Sequence, residues 1–212
     1  MPHEFYPIAP DAAWIARIVP IGVKSVQLRV KNPSLDVRTE IDQALHVCAR
    51  YDCDLIVNDF WREAIECGAR FVHLGQGDLD GADLDAIRAA GIRIGVSTHS
   101  EQELARALSV EPDHVALGPI YETKLKEMPW APQGLPRIGA WKRRLEGRPL
   151  VAIGGITLER APGVYDAGAD SIAVVTDVIA HPEPERRVEQ WLMLVAQRSE
   201  SRVTSPSSDP AA

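Results

Sequence analysis

Cysteine is scarce in this chain, and the three present, Cys48, Cys53 and Cys67, are odd in number and lack zinc-like spacing. That excludes a disulfide framework and a structural zinc site, and leaves them as reduced, small apolar residues. Positive charge is also in deficit: 23 basic against 30 acidic residues give a net charge of −7. Such a balance argues against nucleic acid or an anionic membrane as the main partner. An anionic substrate must then be held by a local group of Lys, Arg and backbone N–H donors. No apolar run approaches the ~20 residues needed to cross a bilayer. The amino terminus shows no basic leader followed by a hydrophobic stretch, so a cytoplasmic protein is expected. Also missing are a His-x-x-x-His pair, a Gly-x-Ser-x-Gly elbow and a P-loop.

What is present is rhythm. At 212 residues and 45% hydrophobic, the chain suits one well-buried domain better than two. Strand-like segments are expected at 4–8, 24–30, 54–58, 70–74, 92–97, 114–118, 149–153 and 171–175. Several are nearly continuous apolar runs, as befits strands covered on both faces. Helix-like stretches fall between them, at 11–19, 35–51, 59–67, 83–90, 100–108, 157–167 and 184–196. Pro20 cuts the first short, Gly68, Gly91 and Gly168 stand where helices stop, and Ser100 to Glu103 has the form of a capping box. Eight β-then-α units of about 25 residues suit a single (β/α)8 TIM barrel over residues 1–198. A doubly wound open sheet is the rival, but it would not need eight strands in so short a chain. The Ser- and Pro-rich segment 199–212 is expected to be a disordered tail. Residues 119–136, with Tyr121, Lys124, Lys126, Trp130 and four prolines, form a long connection that reads as an active-site lid.

Polar residues gather where the strands end. Gln27, Arg29 and Lys31 alternate along one face at the end of the second strand. Asn58-Asp59 and Gly75-Gln76-Gly77-Asp78 close the third and fourth. In a parallel barrel these ends share one mouth, so two carboxylates and two cations converge there. Hard cations such as Mg²⁺ take one or two carboxylates and leave positions for substrate phosphates, which points to diphosphate chemistry. Plainer readings stand beside this one. Asp59 could cap the next helix, Asp78 could serve a turn, and Arg29 or Lys31 could simply pair with Asp59. Gly154-Gly155 and Val174-Val175-Thr176 follow the seventh and eighth strands, where barrels often bind phosphate through backbone N–H groups. Of the histidines, His99 could line the pocket, while His73 and His114 lie within strands and read as structural.

In order, QLRVK (27–31), VND (57–59), HLGQGD (73–78), GVSTH (95–99), GPIYETKLKEMPWAPQG (118–134), AIGGI (152–156) and AGADSIAVVT (167–176) resemble the thiamine phosphate synthase, or pyrophosphorylase, family. The match covers almost the whole chain before the tail. The first, third and lid motifs are specific together, whereas AIGGI and AGAD occur in many phosphate-binding barrels. The resemblance implies a transferase that joins hydroxymethylpyrimidine diphosphate to thiazole phosphate, with Mg²⁺, by a dissociative substitution releasing pyrophosphate. It implies that Gln27, Arg29, Lys31, Asn58, Ser97 and Lys126 hold the pyrimidine diphosphate, with Arg29, Lys31 and Lys126 catalytic. Asp59 and Asp78 would hold Mg²⁺, and Thr123, Lys124, Gly155, Val175 and Thr176 would surround the thiazole phosphate. Three positions depart from the family pattern: Leu125 lacks a hydroxyl, Gly77 replaces an acid, and Asp177 adds negative charge beside the expected phosphate site. A thiazole tautomerase on the same barrel and a silent precursor-binding or regulatory protein are the alternatives, and the intact Arg29, Lys31, Asp59, Asp78 and Lys126 weigh against both. Small-molecule substrates are the expected partners, and assembly into a homo-oligomer is left open.

Overall fold

The computed structural model describes residues 2–123 and 131–204. Lys124, Leu125 and Lys126 lie outside the described residues, as does the segment 205–212. Eight parallel strands close into a barrel in sequence order: β1 (Phe5–Ala9), β2 (Ser25–Leu28), β3 (Asp54–Asn58), β4 (Phe71–Leu74), β5 (Arg93–Thr98), β6 (His114–Leu117), β7 (Leu150–Ile153) and β8 (Ser171–Val174), with β8 pairing back onto β1. The expected (β/α)8 barrel is therefore what forms. The helices are α1 (Ala12–Ile18), α2 (Val37–Arg50), α3 (Trp61–Glu66), α4 (Leu84–Ala89), α5 (Glu101–Ser109), α6 (Gly134–Arg144), α7 (Ala161–Asp166), α8 (Thr176–Ile179) and α9 (Pro184–Thr204).

Two separate apolar regions explain the composition of the strands. Tyr6, Ile8, Ile56, Phe71, Ala116, Val151 and Ala173 fill the barrel interior. Alternate residues of the same strands, such as Val57, Val72, Ile94 and Ile172, face outward and pack under the helices with Ile41, Trp141 and Trp191. Each strand is thus buried on both sides, which is why it reads as a nearly unbroken apolar run. Burying one such aliphatic or aromatic side chain contributes about 1.5–3 kcal/mol.

Local signals set the element ends. Asp11, Asp36, Asp83 and Ser100 accept the N–H of Trp14, Thr39, Ala86 and Glu103, so four helices begin at side-chain caps. Past Ile18 the chain tightens into a 3-10 turn carrying Pro20, and Gly22 at φ 119° reverses it.

Several differences from expectation have physical causes. The second strand ends at Leu28 because β1 stops at Ala9, whose carbonyl accepts the Arg29 N–H and closes the ladder. The helix expected from 59 starts at Trp61, because Asp59 takes φ 68° and a tight turn intervenes. α6 was not anticipated; it opens with Gly-Leu-Pro, poor helix-starting composition, and is held by burying Ile138 and Trp141. Finally, α9 continues through Ser199 to Thr204, into the segment expected as tail.

Candidate active site

The carboxyl ends of β2, β3, β4 and β5 form one quadrant of the barrel mouth. Gln27 is buried within β2, while Arg29 and Lys31, just beyond it, are exposed. Asn58, the last residue of β3, is buried. The Asp59 backbone donates to the His73 carbonyl at 2.9 Å, which ties the end of β3 to β4. A residue with a Cβ rarely adopts φ near 68°, and such strain persists where the surroundings over-determine it. α3 begins at Trp61 with Phe60 as its cap, and among the described residues no side chain, Asp59 included, bonds to its first turn. The helix-cap reading of Asp59 is thereby set aside.

Asp59 Oδ2 instead meets Lys31 Nζ at 2.9 Å. The ion-pair reading of Lys31 therefore holds, but at the mouth, where both groups keep contact with solvent. Arg29 makes no ion pair among the described residues. Asp78 opens a 3-10 turn, Asp78–Asp80, and its Oδ2 accepts the Gly75 N–H at 3.2 Å. A Cβ at Gly75 would stand 2.8 Å from that same oxygen, so glycine lets the carboxylate fold back over the strand end. Burial raises the Asp78 pKa above its ordinary value, and the neighbouring Asp59 carboxylate raises it further. Two carboxylates are thus held close enough to repel. Among the described residues, no group of three or more His, Cys, Asp or Glu side chains is placed to hold a metal ion.

Ser97, near the end of β5, faces the same quadrant. Its Oγ lies 2.8 Å from His73 Nε2, and its carbonyl accepts Gln76 Nε2 at 2.7 Å. His99, at the end of the same strand, pairs with Glu103 through Nδ1 at 2.8 Å, and Glu103 also accepts the His99 backbone N–H. In place of a full capping box, Glu103 thus reaches the residue before the cap.

The opposite quadrant carries the expected phosphate-binding positions. Gly155 adopts φ 64°, and a Cβ there would collide with the backbone of Tyr121 and Glu122. This close approach seats the loop after β7 against the loop after β6, with the Tyr121 N–H donating to the Gly154 carbonyl at 3.0 Å. Arg160 donates to the Gly155 carbonyl at 2.6 Å and stacks over the Tyr121 ring. Thr123 lies half-buried where the described part of the loop ends, Val175 is half-buried after β8, and Thr176 is exposed at the start of α8. The proposed positions Lys124 and Lys126 fall outside the described residues.

Asp177 behaves differently from expectation. Its side chain, 8% exposed, turns onto α9 and takes two hydrogen bonds at 2.9 Å from Arg187 and one at 2.7 Å from Trp191 Nε1. Arg187 also bonds Glu159. The negative charge is matched within the scaffold. Sequence reasoning missed Arg187, because its partner lies ten positions away across a turn and no motif joins them.

A sequence profile of the thiamine monophosphate synthase family matches residues 4–178. The chain belongs to that family. A thiamine-phosphate synthase of Rhizobium etli is 56% identical over 193 residues, covering 91% of this chain and 95% of the relative. One from Cronobacter sakazakii is 47% identical over 86% of this chain and 89% of its own length. Among solved structures, a thiamine phosphate pyrophosphorylase from Pyrococcus furiosus superposes with a TM-score of 0.79 at 25% identity, over 92% of this chain and 96% of that one. The tautomerase and the silent binding protein gain no support from these thiamine monophosphate synthase relatives. Family membership and the barrel together place the polar mouth where such enzymes keep their chemistry.

Proposed function

We propose that this protein is a transferase of thiamine biosynthesis that joins hydroxymethylpyrimidine diphosphate to thiazole phosphate, yielding thiamine phosphate and pyrophosphate. The observation that carries the reading is the convergence of Asp59, Asp78 and Lys31 at the carboxyl-end mouth of a barrel of this family. In a dissociative substitution the C–O bond to the diphosphate breaks first. The pyrimidine-stabilised cation left behind is then captured by the thiazole nitrogen. Charge grows on the departing pyrophosphate, so cationic groups fixed at that point favour the transition state over the ground state.

Arg29 and Lys31 stand at that point, and Lys126 is assigned to it from the lid motif. Gln27, Asn58 and Ser97 line the inner wall of the same quadrant and would orient the pyrimidine diphosphate. Mg²⁺ fits the donor set. Two mutually repelling carboxylates offer hard oxygen ligands, and substrate phosphates would complete the coordination. Held by Asp59 and Asp78, the ion would neutralise diphosphate oxygens as the leaving group departs. Lys31 would then be released from Asp59 to meet the diphosphate directly. Gly155, Thr123, Lys124, Val175 and Thr176 would receive the thiazole phosphate across the mouth, through backbone N–H groups, hydroxyls and one charge. No helix among the described residues is long and apolar enough to cross a membrane, and a cytoplasmic enzyme acting on small, highly charged substrates is part of this proposal.

The test mixes purified protein with both substrates and Mg²⁺ and follows pyrophosphate release. Release that needs both substrates and is lost with a chelator is expected. Failure to release pyrophosphate under saturating conditions would refute the assignment.

A further inference from the structure

Inside the barrel, beneath the two carboxylates, a row of polar side chains spans three strands. His73 Nε2 lies 2.8 Å from Ser97 Oγ, and His73 Nδ1 lies 3.3 Å from His114 Nε2. Both imidazoles are buried, and the last nitrogen of the row, His114 Nδ1, has no hydrogen-bond partner among the described residues. Strand register builds the row: His73 of β4 pairs with Gly95 of β5, and Gly95 pairs with His114 of β6. The two rings therefore meet across a residue with no side chain. A Cβ at Gly95 would collide with the His114 ring. Phe71 closes the far side of His114 in an edge contact at 5.1 Å.

The proton positions follow from counting donors and acceptors. Both rings are buried, neither forms an ion pair among the described residues, and two facing ring nitrogens at 3.3 Å need one N–H and one lone pair, so both rings are neutral. A neutral imidazole carries one N–H and one lone pair. Were His73 Nδ1–H the donor between the rings, His114 would hold its proton on Nδ1, a buried N–H with no acceptor. With His114 Nε2–H as donor, only a lone pair goes unmet. The second arrangement is the cheaper, because an orphaned buried donor is costlier than an under-used acceptor. It puts the His73 proton on Nε2, where it donates to Ser97 Oγ. The Ser97 hydroxyl then keeps its own hydrogen for another acceptor. In the reverse arrangement that hydrogen is spent on His73, and Ser97 shows only lone pairs to an anion.

We propose that His114, acting through His73, is a positioning residue that turns Ser97 into a hydrogen-bond donor toward the diphosphate-bearing pyrimidine substrate. The proposal deepens the synthase reading and rests on it.

Two measurements test it. Long-range 15N–1H NMR of the labelled, ligand-free full chain reads which nitrogen carries each proton. Both His73 and His114 are expected to be protonated on Nε2, and a His73 proton on Nδ1 would overturn the proposal. The kinetic arm uses His114→Phe, which keeps a ring and removes the donor. A rise of about tenfold in KM for the pyrimidine diphosphate is expected, with KM for the thiazole phosphate moving less than about twofold. His114→Gln, whose amide nitrogen can take the place of the imidazole Nε2, should recover most of the loss. An unchanged pyrimidine-diphosphate KM, or an equal loss for both substrates, counts against the relay. Should His114→Phe not fold, the wild-type spectrum decides. A wild type that never releases pyrophosphate would defeat the synthase reading, while the tautomer result would stand or fall by itself.

Discussion

Asp59 combines three properties that a structural carboxylate seldom combines: a left-handed backbone, a half-buried side chain and an acidic neighbour. Each costs free energy, and together they are what the proposed metal-binding role of Asp59 leads one to expect. Asp59→Asn and Asp78→Asn are each expected to cut kcat by about a hundredfold or more at limiting Mg²⁺, with the thermal midpoint nearly unchanged. Activity near wild type in both variants would remove the metal assignment. Lys126 is argued from motif and charge alone. Because charge on the pyrophosphate grows as the bond breaks, Lys126→Ala should slow the single-turnover chemical step more than it weakens substrate binding. A normal chemical rate with weaker binding would make Lys126 a ground-state contact only. These residues were legible because each strand end is announced locally, by an apolar run followed by Asn-Asp or Gly-Gln-Gly-Asp. The pairing of Lys31 with Asp59 was open in the sequence, since it depends on which faces two neighbouring strand ends present.

At the scale of elements, α8 and α9 show how the departure at Asp177 is accommodated. α9 brings Arg187 and Trp191 to the Asp177 carboxylate, so the acid turns from the phosphate side and fastens the last helix to the mouth. Phe5 stacks on Trp191 at 4.8 Å, which extends the same clasp to β1. Removing one partner of a buried pair leaves an uncompensated charge, at a cost of about 3–5 kcal/mol. Arg187→Met should therefore destabilise the protein by an amount near the lower figure, because the pair keeps some solvent contact. It should also raise KM for the thiazole phosphate, through an unmatched carboxylate nearby. Adding Asp177→Asn should return much of both losses. Urea unfolding and thiazole-phosphate saturation check this, and a double variant no better than the single would separate Asp177 from both effects. The helix boundaries near α3 and α7 were less legible than the strands. Asp59 and the Thr157–Arg160 turn bend the chain before regular helix can begin, and that bending answers to contacts with neighbouring loops.

For the whole molecule, the neutral histidines inside the barrel couple stability to pH. The His73 pKa falls from 6.5 in the ordinary state to about 4 when folded, chiefly by burial. Between those values the unfolded chain binds more protons, so this contribution is fully present above about pH 6.5 and is lost as pH falls toward 4. Two and a half pH units correspond to about 3 kcal/mol as an upper bound. Urea midpoints taken from pH 7 to pH 4 should fall, and a His73→Gln variant should fall less steeply. Equal slopes in the two proteins would show that other groups set the acid limit. The same row of histidines separates what was written locally from what was not. The sequence by itself determined the eight-unit barrel, nearly every strand, the helix cap at Ser100 and the clustering of polar residues at the strand ends, because apolar periodicity, capping residues and strand-end punctuation act within a few positions. Only the tertiary structure decided that Gly95 brings His73 to His114, that Asp78 crowds Asp59, and that Arg187 claims Asp177. It also decided α6, whose weak intrinsic signal is overridden by the burial of Ile138 and Trp141. Those outcomes rest on strand register and barrel closure, which bring together residues far apart along the chain and leave no periodic trace in it.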